Sequence, residues 1–157
     1  QKSGPNDLFL EHIYFINPKV GWIAGSLTSE QWYGGVLYHT EDGGNHWHTQ
    51  YKTEGVLPDS IFVSDNSSIW ITGKTEYGEG RLLHTEDSGE NWSIKEFGNT
   101  GHIYLAFLDK DRGMLSTETG WIIITTDSGK TWVKKRKPLR KQPWHFSEIF
   151  TSLQGSK

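Results

Sequence analysis

Residues 40–47 read TEDGGNHW, residues 85–92 read TEDSGENW and residues 125–132 read TTDSGKTW, so one octapeptide occurs three times in the chain. The shared pattern is Thr-x-Asp-(Gly/Ser)-Gly-x-x-Trp, and its aspartates are 45 and 40 residues apart. Three matches at the defined positions of such a pattern do not arise by chance. The chain is therefore built from internal repeats of this length.

Each octapeptide follows three short segments rich in β-branched and aromatic residues, which in the first repeat are HIYFIN, GWIAG and GVLYHT. A fourth segment starts at the tryptophan, so each repeat offers four strands, A to D, separated by turn residues. Four strands in 40–50 residues are typical of propeller blades. We predict an all-β single domain over residues 1–157, with repeats at about 12–51, 59–97 and 102–135 and the first strand of a fourth at 145–151.

Composition excludes several classes of protein. The 157 residues carry 16 Lys and Arg against 19 Asp and Glu, a net charge of −3 that makes nucleic acid an unlikely partner. There is no cysteine, so disulfides, thiolate metal sites and cysteine nucleophiles are ruled out. No apolar run approaches the roughly 18 residues of a membrane span. We expect no cofactor.

The octapeptide resembles the Asp-box, or BNR repeat, which occurs in sialidases, other glycosidases, sortilin-type receptors and the photosystem II assembly factor group of propellers. GWIAG followed by LYHTEDGGNHW looks most like that last group and its bacterial relatives. The resemblance covers about residues 12–151. It implies a propeller, a protein or glycan partner, and an extracytoplasmic location.

In that family the Asp-box is structural and lies away from the active site. The residue types agree, because an Asx-type carboxylate and glycines suit a tight hairpin between strands C and D. We therefore interpret the box residues as turn stabilisers rather than catalytic groups or calcium ligands: Thr40, Asp42, Gly44, Trp47, Thr85, Asp87, Gly89, Trp92, Thr125, Asp127, Gly129 and Trp132.

Blade topology places the A–B and C–D turns at one end and the B–C and D–A loops at the other. Candidate binding residues therefore lie in the B–C and D–A loops, where aromatic side chains suit glycan or protein contacts. A basic run, KKRKPLRK at 134–141, suits an acidic partner, although a solvated loop is the alternative. The candidates are Trp32, Tyr33, Tyr77, Arg81, Lys134, Lys135, Arg136, Arg140 and Lys141.

Four polar residues are predicted to open the inner A strands: His12, Asp59, His102 and His145. If they converged at the channel rim, they would suit Zn²⁺ or a similar cation. The alternative is a wet rim without metal, and we favour it.

The main functional prediction is a non-catalytic binding or assembly module, and the runner-up is a glycoside hydrolase. Sialidase chemistry is disfavoured, because the chain has only four arginines and no Arg-Ile-Pro motif. Another glycosidase could use two loop carboxylates. Its candidates are Glu30, Glu76, Glu79 and Glu118.

Three blades cannot close a ring, since propellers have about four to eight. The exposed faces of the end blades would carry aromatic side chains. We therefore predict a homodimer that forms a six-bladed ring, with a fragment of a longer propeller as the alternative.

Overall fold

The computed structural model describes residues 7–28 and 33–135, which form three antiparallel sheets of four strands in chain order. This arrangement confirms the predicted all-β blades. The strand predicted at 145–151 lies outside the described residues. The first sheet contains β1 (Asp7–Phe15), β2 (Gly21–Thr28), β3 (Tyr33–Thr40) and β4 (His48–Glu54); the second, β5 (Leu57–Val63), β6 (Ile69–Lys74), β7 (Glu79–Thr85) and β8 (Ser93–Asn99); the third, β9 (Ile103–Phe107), β10 (Gly113–Thr117), β11 (Ile122–Thr125) and β12 (Val133–Lys134). Among these residues no helix is long and apolar enough to cross a membrane.

Two inner strands contain a β-bulge, and the bulges set the register of the site. The pairing of β1 with β2 shifts between Leu10 and His12, and that of β5 with β6 shifts between Pro58 and Ser60. Glu11 and Asp59 are therefore the equivalent residues of the two blades. Strand β1 also begins before the predicted start near residue 12, because its first residues pair with the end of β2.

Apolar side chains of neighbouring blades meet in two clusters. Strand residues alternate between the two faces of a sheet, so each blade offers one row of side chains to each neighbour. The first cluster joins blades one and two through Trp22, Ala24, Leu37, Val56, Val63, Ile69, Ile71 and Leu83. The second joins blades two and three through Trp70, Leu82, Ile103, Leu105, Phe107, Leu115 and Ile123.

The Asp-box turn of one blade also contacts the blade before it. Gln50 on β4 accepts a hydrogen bond from Trp22 Nε1 (2.8 Å) and donates one to the carbonyl of Ser88 in the second box (2.6 Å). In the third box Gly129 lies so close to the Trp70 ring that a Cβ at this position would overlap the indole. These contacts lock the turns of blades two and three onto their predecessors.

Within the second Asp-box, the threonine and aspartate side chains accept hydrogen bonds from backbone N–H groups of the turn. Thr85 Oγ1 donates to Asp87 Oδ1 (2.7 Å) and accepts from the Gly89 N–H (2.9 Å), while Asp87 Oδ1 accepts from the Asn91 N–H (2.8 Å). Ser88 and Gly89 both have positive φ, 62° and 91°, as the tight turn requires. The same pattern recurs with Thr40 and Asp42, and with Thr125 and Asp127.

These hydrogen bonds make stability sensitive to acid. The His46 N–H lowers the pKa of Asp42, and the Asn91 N–H that of Asp87, in each case to about 2 from an ordinary 3.8. A depressed folded-state pKa stabilises the fold above the unfolded value, and this contribution is lost as the pH falls from about 4 towards 2.

We therefore expect the melting temperature to fall steeply across that window, as measured by circular dichroism. In Asp87→Asn the melting temperature should fall less steeply with pH, because the asparagine side chain does not titrate. Glu54→Gln at the exposed end of β4 is the control. Equal slopes in the wild type and Asp87→Asn would contradict this account.

Candidate functional site at the loop face

Hydrogen bonds between turns show which turns and loops lie at each end of the blades. At one end the Gly43, Ser88 and Ser128 N–H groups donate to carbonyls of their own A–B turns (2.8–3.0 Å). At the other end the Gly55 N–H donates to the Tyr33 carbonyl, and the Gly101 N–H donates to the Gly78 carbonyl. The B–C and D–A loops thus share the end opposite the Asp-boxes, which we call the loop face.

A polar network occupies the loop face where blades two and three meet. His102 Nδ1 lies 2.6 Å from Asp59 Oδ1, and His102 Nε2 lies 2.7 Å from Lys74 Nζ. The second Asp59 oxygen accepts from the Ile103 N–H (2.8 Å), and Glu118 Oε2 accepts from the His102 N–H (3.1 Å). A histidine that donates at Nδ1 and accepts from lysine at Nε2 fits this geometry.

Burial and neighbouring charge act in opposite directions on Asp59. The residue is only 6% exposed, and burial raises the pKa of its carboxyl. Hydrogen bonds from Ile103 and His102, together with the Lys74 charge, act against that rise. The Asp59 charge also reaches the neighbouring blades: burial lowers the pKa of His12 and Asp59 opposes that change, whereas burial raises the pKa of Tyr104 and Asp59 adds to it.

Two of the predicted aromatic candidates are tyrosines at the loop face. Tyr77 in the loop before β7 is 77% exposed, and hydrogen bonding to Glu76 raises the pKa of its phenol. Tyr33, the first residue of β3, is half-buried, and burial raises the pKa of its phenol. Trp32, the other predicted aromatic, lies outside the described residues.

The predicted basic candidates divide into two groups. Arg81 is half-buried and contacts Glu96 (3.0 Å) and Glu79 (3.8 Å), so its charge already has protein partners. Lys134 lies 3.8 Å above the Trp121 ring in a cation–π contact, and the neighbouring Lys135 is exposed. Three further candidates lie outside the described residues: Arg136, Arg140 and Lys141.

The predicted rim of His12, Asp59 and His102 is brought together only in part. Asp59 and His102 touch, whereas His12 lies one residue past the bulge and corresponds to Ser60. Neither His12 nor Asp59 opens its strand, because β1 begins at Asp7 and β5 at Leu57. Both ring nitrogens of His102 have protein partners. Across residues 7–28 and 33–135 no group of three His, Asp or Glu side chains is placed to hold a metal. His145 lies outside this range.

The three candidate hydrolase carboxylates within the described residues lie on blades two and three. Glu79 contacts Arg81 and accepts from Thr75 (3.5 Å), and Glu118 accepts from the His102 backbone. Glu76 lies beside Tyr77, while Glu30 is outside the described residues. Contacts of this kind hold loops in place.

A groove of about 610 Å³ follows the three inner strands. Its loop-face end is polar, with Glu11, His12 and Ser60, and Glu11 accepts a hydrogen bond from Ser26 (2.8 Å). Its other end is apolar. The lining residues there include Tyr14, Ile61, Phe62, Leu105 and Phe107.

Sequence reasoning missed Lys74 and Glu11. Lys74 is the last residue of β6 and the first of the predicted B–C loop, so its position at the loop face was readable. Its contact with a histidine of the next blade was not, because no local pattern encodes it. Glu11 could be matched to Asp59 only once the bulges were known.

The blades, their boxes and their loop face define an Asp-box β-propeller protein. A family model described as photosynthesis system II assembly factor YCF48 matches residues 4–140, and the chain belongs to this family. The match confirms the resemblance to the photosystem II assembly factor group. No curated protein matches the sequence significantly.

Two solved structures are similar in fold. One, described as YCF48 bound to D1 peptide, is 24% identical with a TM-score of 0.62, and the match covers 85% of this chain and 41% of that one. The other, YCF48 from Cyanidioschyzon merolae, is 21% identical with a TM-score of 0.59, and the match covers 83% and 38%. The chain thus spans about two fifths of the length of these structures.

Proposed function

We propose that this chain is a non-catalytic assembly module that binds an extended segment of a protein partner on its loop face. The observation that carries this proposal is the Lys74–His102–Asp59 network, together with the exposed Tyr77 in the loop whose Gly78 carbonyl accepts from the Gly101 N–H. Aromatic side chains surrounded by polar groups are typical of protein contact sites. Family membership and a relative bound to a peptide support the same function.

Glycan binding and hydrolysis have less support. No described carboxylate pair faces the groove, whose lining includes Glu11 but none of the candidate hydrolase glutamates. The binding proposal needs only an accessible surface, which the loop face provides.

The proposal is tested with a synthetic D1 peptide, the ligand class of the solved relative. We expect the chain to bind it in calorimetry, and Tyr77→Ala to weaken binding about tenfold, a change of about 1.4 kcal/mol typical of a contact-site aromatic. Ile94→Ala on outer strand β8, 53% exposed, is the matched control. Equal losses in the two variants would overturn the assignment to the loop face.

We further propose that a second copy of the chain completes the ring. Each end blade exposes apolar side chains on the face that no described blade covers, such as Ile13 (65%) on blade one and Val133 (52%) on blade three. Light scattering should give a mass near twice 17.9 kDa. A monomer would overturn the two-chain ring and favour a longer propeller.

A further inference from the structure

We propose that His39 and His48 form a binding site for a divalent transition metal, with Zn²⁺ as the ion that fits best. The two residues are direct cross-strand neighbours on β3 and β4. They lie at the Asp-box end of the first blade, away from the loop face, so the inference does not depend on the proposed function.

The separation of the two ring nitrogens matches a shared metal ion. His39 Nδ1 lies 3.3 Å from His48 Nε2, which is long for a hydrogen bond. Two imidazole nitrogens bound at about 2.0–2.1 Å to one tetrahedral Zn²⁺ are themselves about 3.3–3.4 Å apart. A metal ion can therefore replace the shared proton with small rotations of the rings.

The position of His39 is fixed by its neighbours. Its ring stacks on Trp22, with centroids 4.7 Å apart and an interplanar angle of 21°. The Trp22 indole is itself 1% exposed and held by Gln50. His48 is exposed and meets His39 nearly edge-on, at 80°. One ligand is thus fixed in advance, and the other is accessible to an ion from solvent.

The second blade shows the same arrangement without the second histidine. Trp70 stacks on His84 as Trp22 stacks on His39, but the residue paired with His84 is Ser93. There His84 Nε2 lies 3.2 Å from Ser68 Oγ, whereas the buried Nε2 of His39 has no hydrogen-bond partner among the described residues. The tryptophan–histidine stack is therefore a repeated packing element, and the His39–His48 pair is specific to blade one.

The donor set determines the strength and selectivity of the site. In the described part of the chain no third His, Asp or Glu completes the pair, so water fills the remaining coordination positions. Because no described residue bonds to His39 Nε2 and orients the ring, we expect micromolar rather than nanomolar binding. Two imidazoles select zinc, copper or nickel over magnesium and calcium.

The test is calorimetric titration of the whole chain with ZnCl₂, alongside histidine NMR signals. We expect one Zn²⁺ per chain, shifts of the His39 and His48 ring resonances, and no response to Mg²⁺. His48→Ser reproduces the His84–Ser93 pair of blade two and should weaken Zn²⁺ binding by about tenfold or more. His48→Gln keeps a hydrogen-bonding side chain and should lose binding to the same extent.

The controls separate this site from other histidines. His46→Ala removes an exposed imidazole two residues away, which bonds to Asp42, and should leave Zn²⁺ affinity unchanged. Absence of Zn²⁺ binding in the wild type would overturn the proposal. Unchanged affinity in His48→Ser and His48→Gln, or an equal loss in His46→Ala, would overturn it as well.

Discussion

Gly129→Ala should lower the free energy of unfolding by about 2–5 kcal/mol, because backbone strain and a steric clash add at one position. Gly129 has φ of +76°, a conformation that L side chains rarely adopt. The added methyl group would also overlap the six-membered ring of Trp70, which is 5% exposed and packed in the second cluster. The indole cannot move away without disturbing the contact between blades two and three.

Gly98→Ala separates the two causes of this loss. Gly98 has φ of +73°, but no atom of residues 7–28 or 33–135 lies within 4 Å of the position that its Cβ would take. Gly98→Ala should therefore lower the free energy of unfolding by the backbone strain alone, about 1–2 kcal/mol. Urea denaturation followed by tryptophan fluorescence measures both variants. Equal losses would show that Trp70 adapts to the methyl group and that the blade contact is looser than described.

Asp59→Ala is expected to cost about 2–4 kcal/mol, because it leaves several buried or half-buried groups without partners. The Ile103 N–H is buried and loses its acceptor, and His102 loses the carboxylate that orients its ring. Lys74 then faces a histidine whose tautomer is no longer fixed. The loss falls where blades two and three meet at the loop face.

Asp59→Asn retains an oxygen acceptor for Ile103 and should lose clearly less than Asp59→Ala. Asp65→Ala is the control. Like Asp59, Asp65 accepts hydrogen bonds from the backbone, here from the Ser67 and Ser68 N–H groups, but it lies in an exposed turn. The free energy of unfolding from urea titration is the readout. If Asp59→Ala and Asp65→Ala lowered the free energy of unfolding by the same small amount, the Asp59 network would not contribute to the stability of the fold.

The repeats, the strands and the box turns could be predicted from sequence because each depends on local chemistry. Asp87, Gly89 and the threonine at 85 act within one turn, so their spacing carries the information. The number of strands in each repeat was enough to place the A–B and C–D turns at one end of the blades and the B–C and D–A loops at the other. The family resemblance rested on the same residues and was confirmed by the family match.

The details of the site depended on register, which the sequence pattern does not encode. The bulges at Glu11 and Asp59 each add a residue to an inner strand. His12 pairs as Tyr104 does, so it is out of line with His102 although both histidines precede an isoleucine. The Lys74–His102 contact joins residues 28 positions apart on different blades. Such pairs arise from packing of blades, and periodicity within one repeat gives no sign of them.

The locking of each Asp-box turn onto the preceding blade has a consequence for motion. Blade two is held from one side through Ser88 and Gln50, and from the other through Trp70 and Gly129. Opening blade two must therefore break its contacts with two neighbouring blades. Opening blade one or blade three breaks the contacts with only one of these three blades. Amide hydrogens of β6 and β7 should exchange last, so the array loosens from its ends towards its middle.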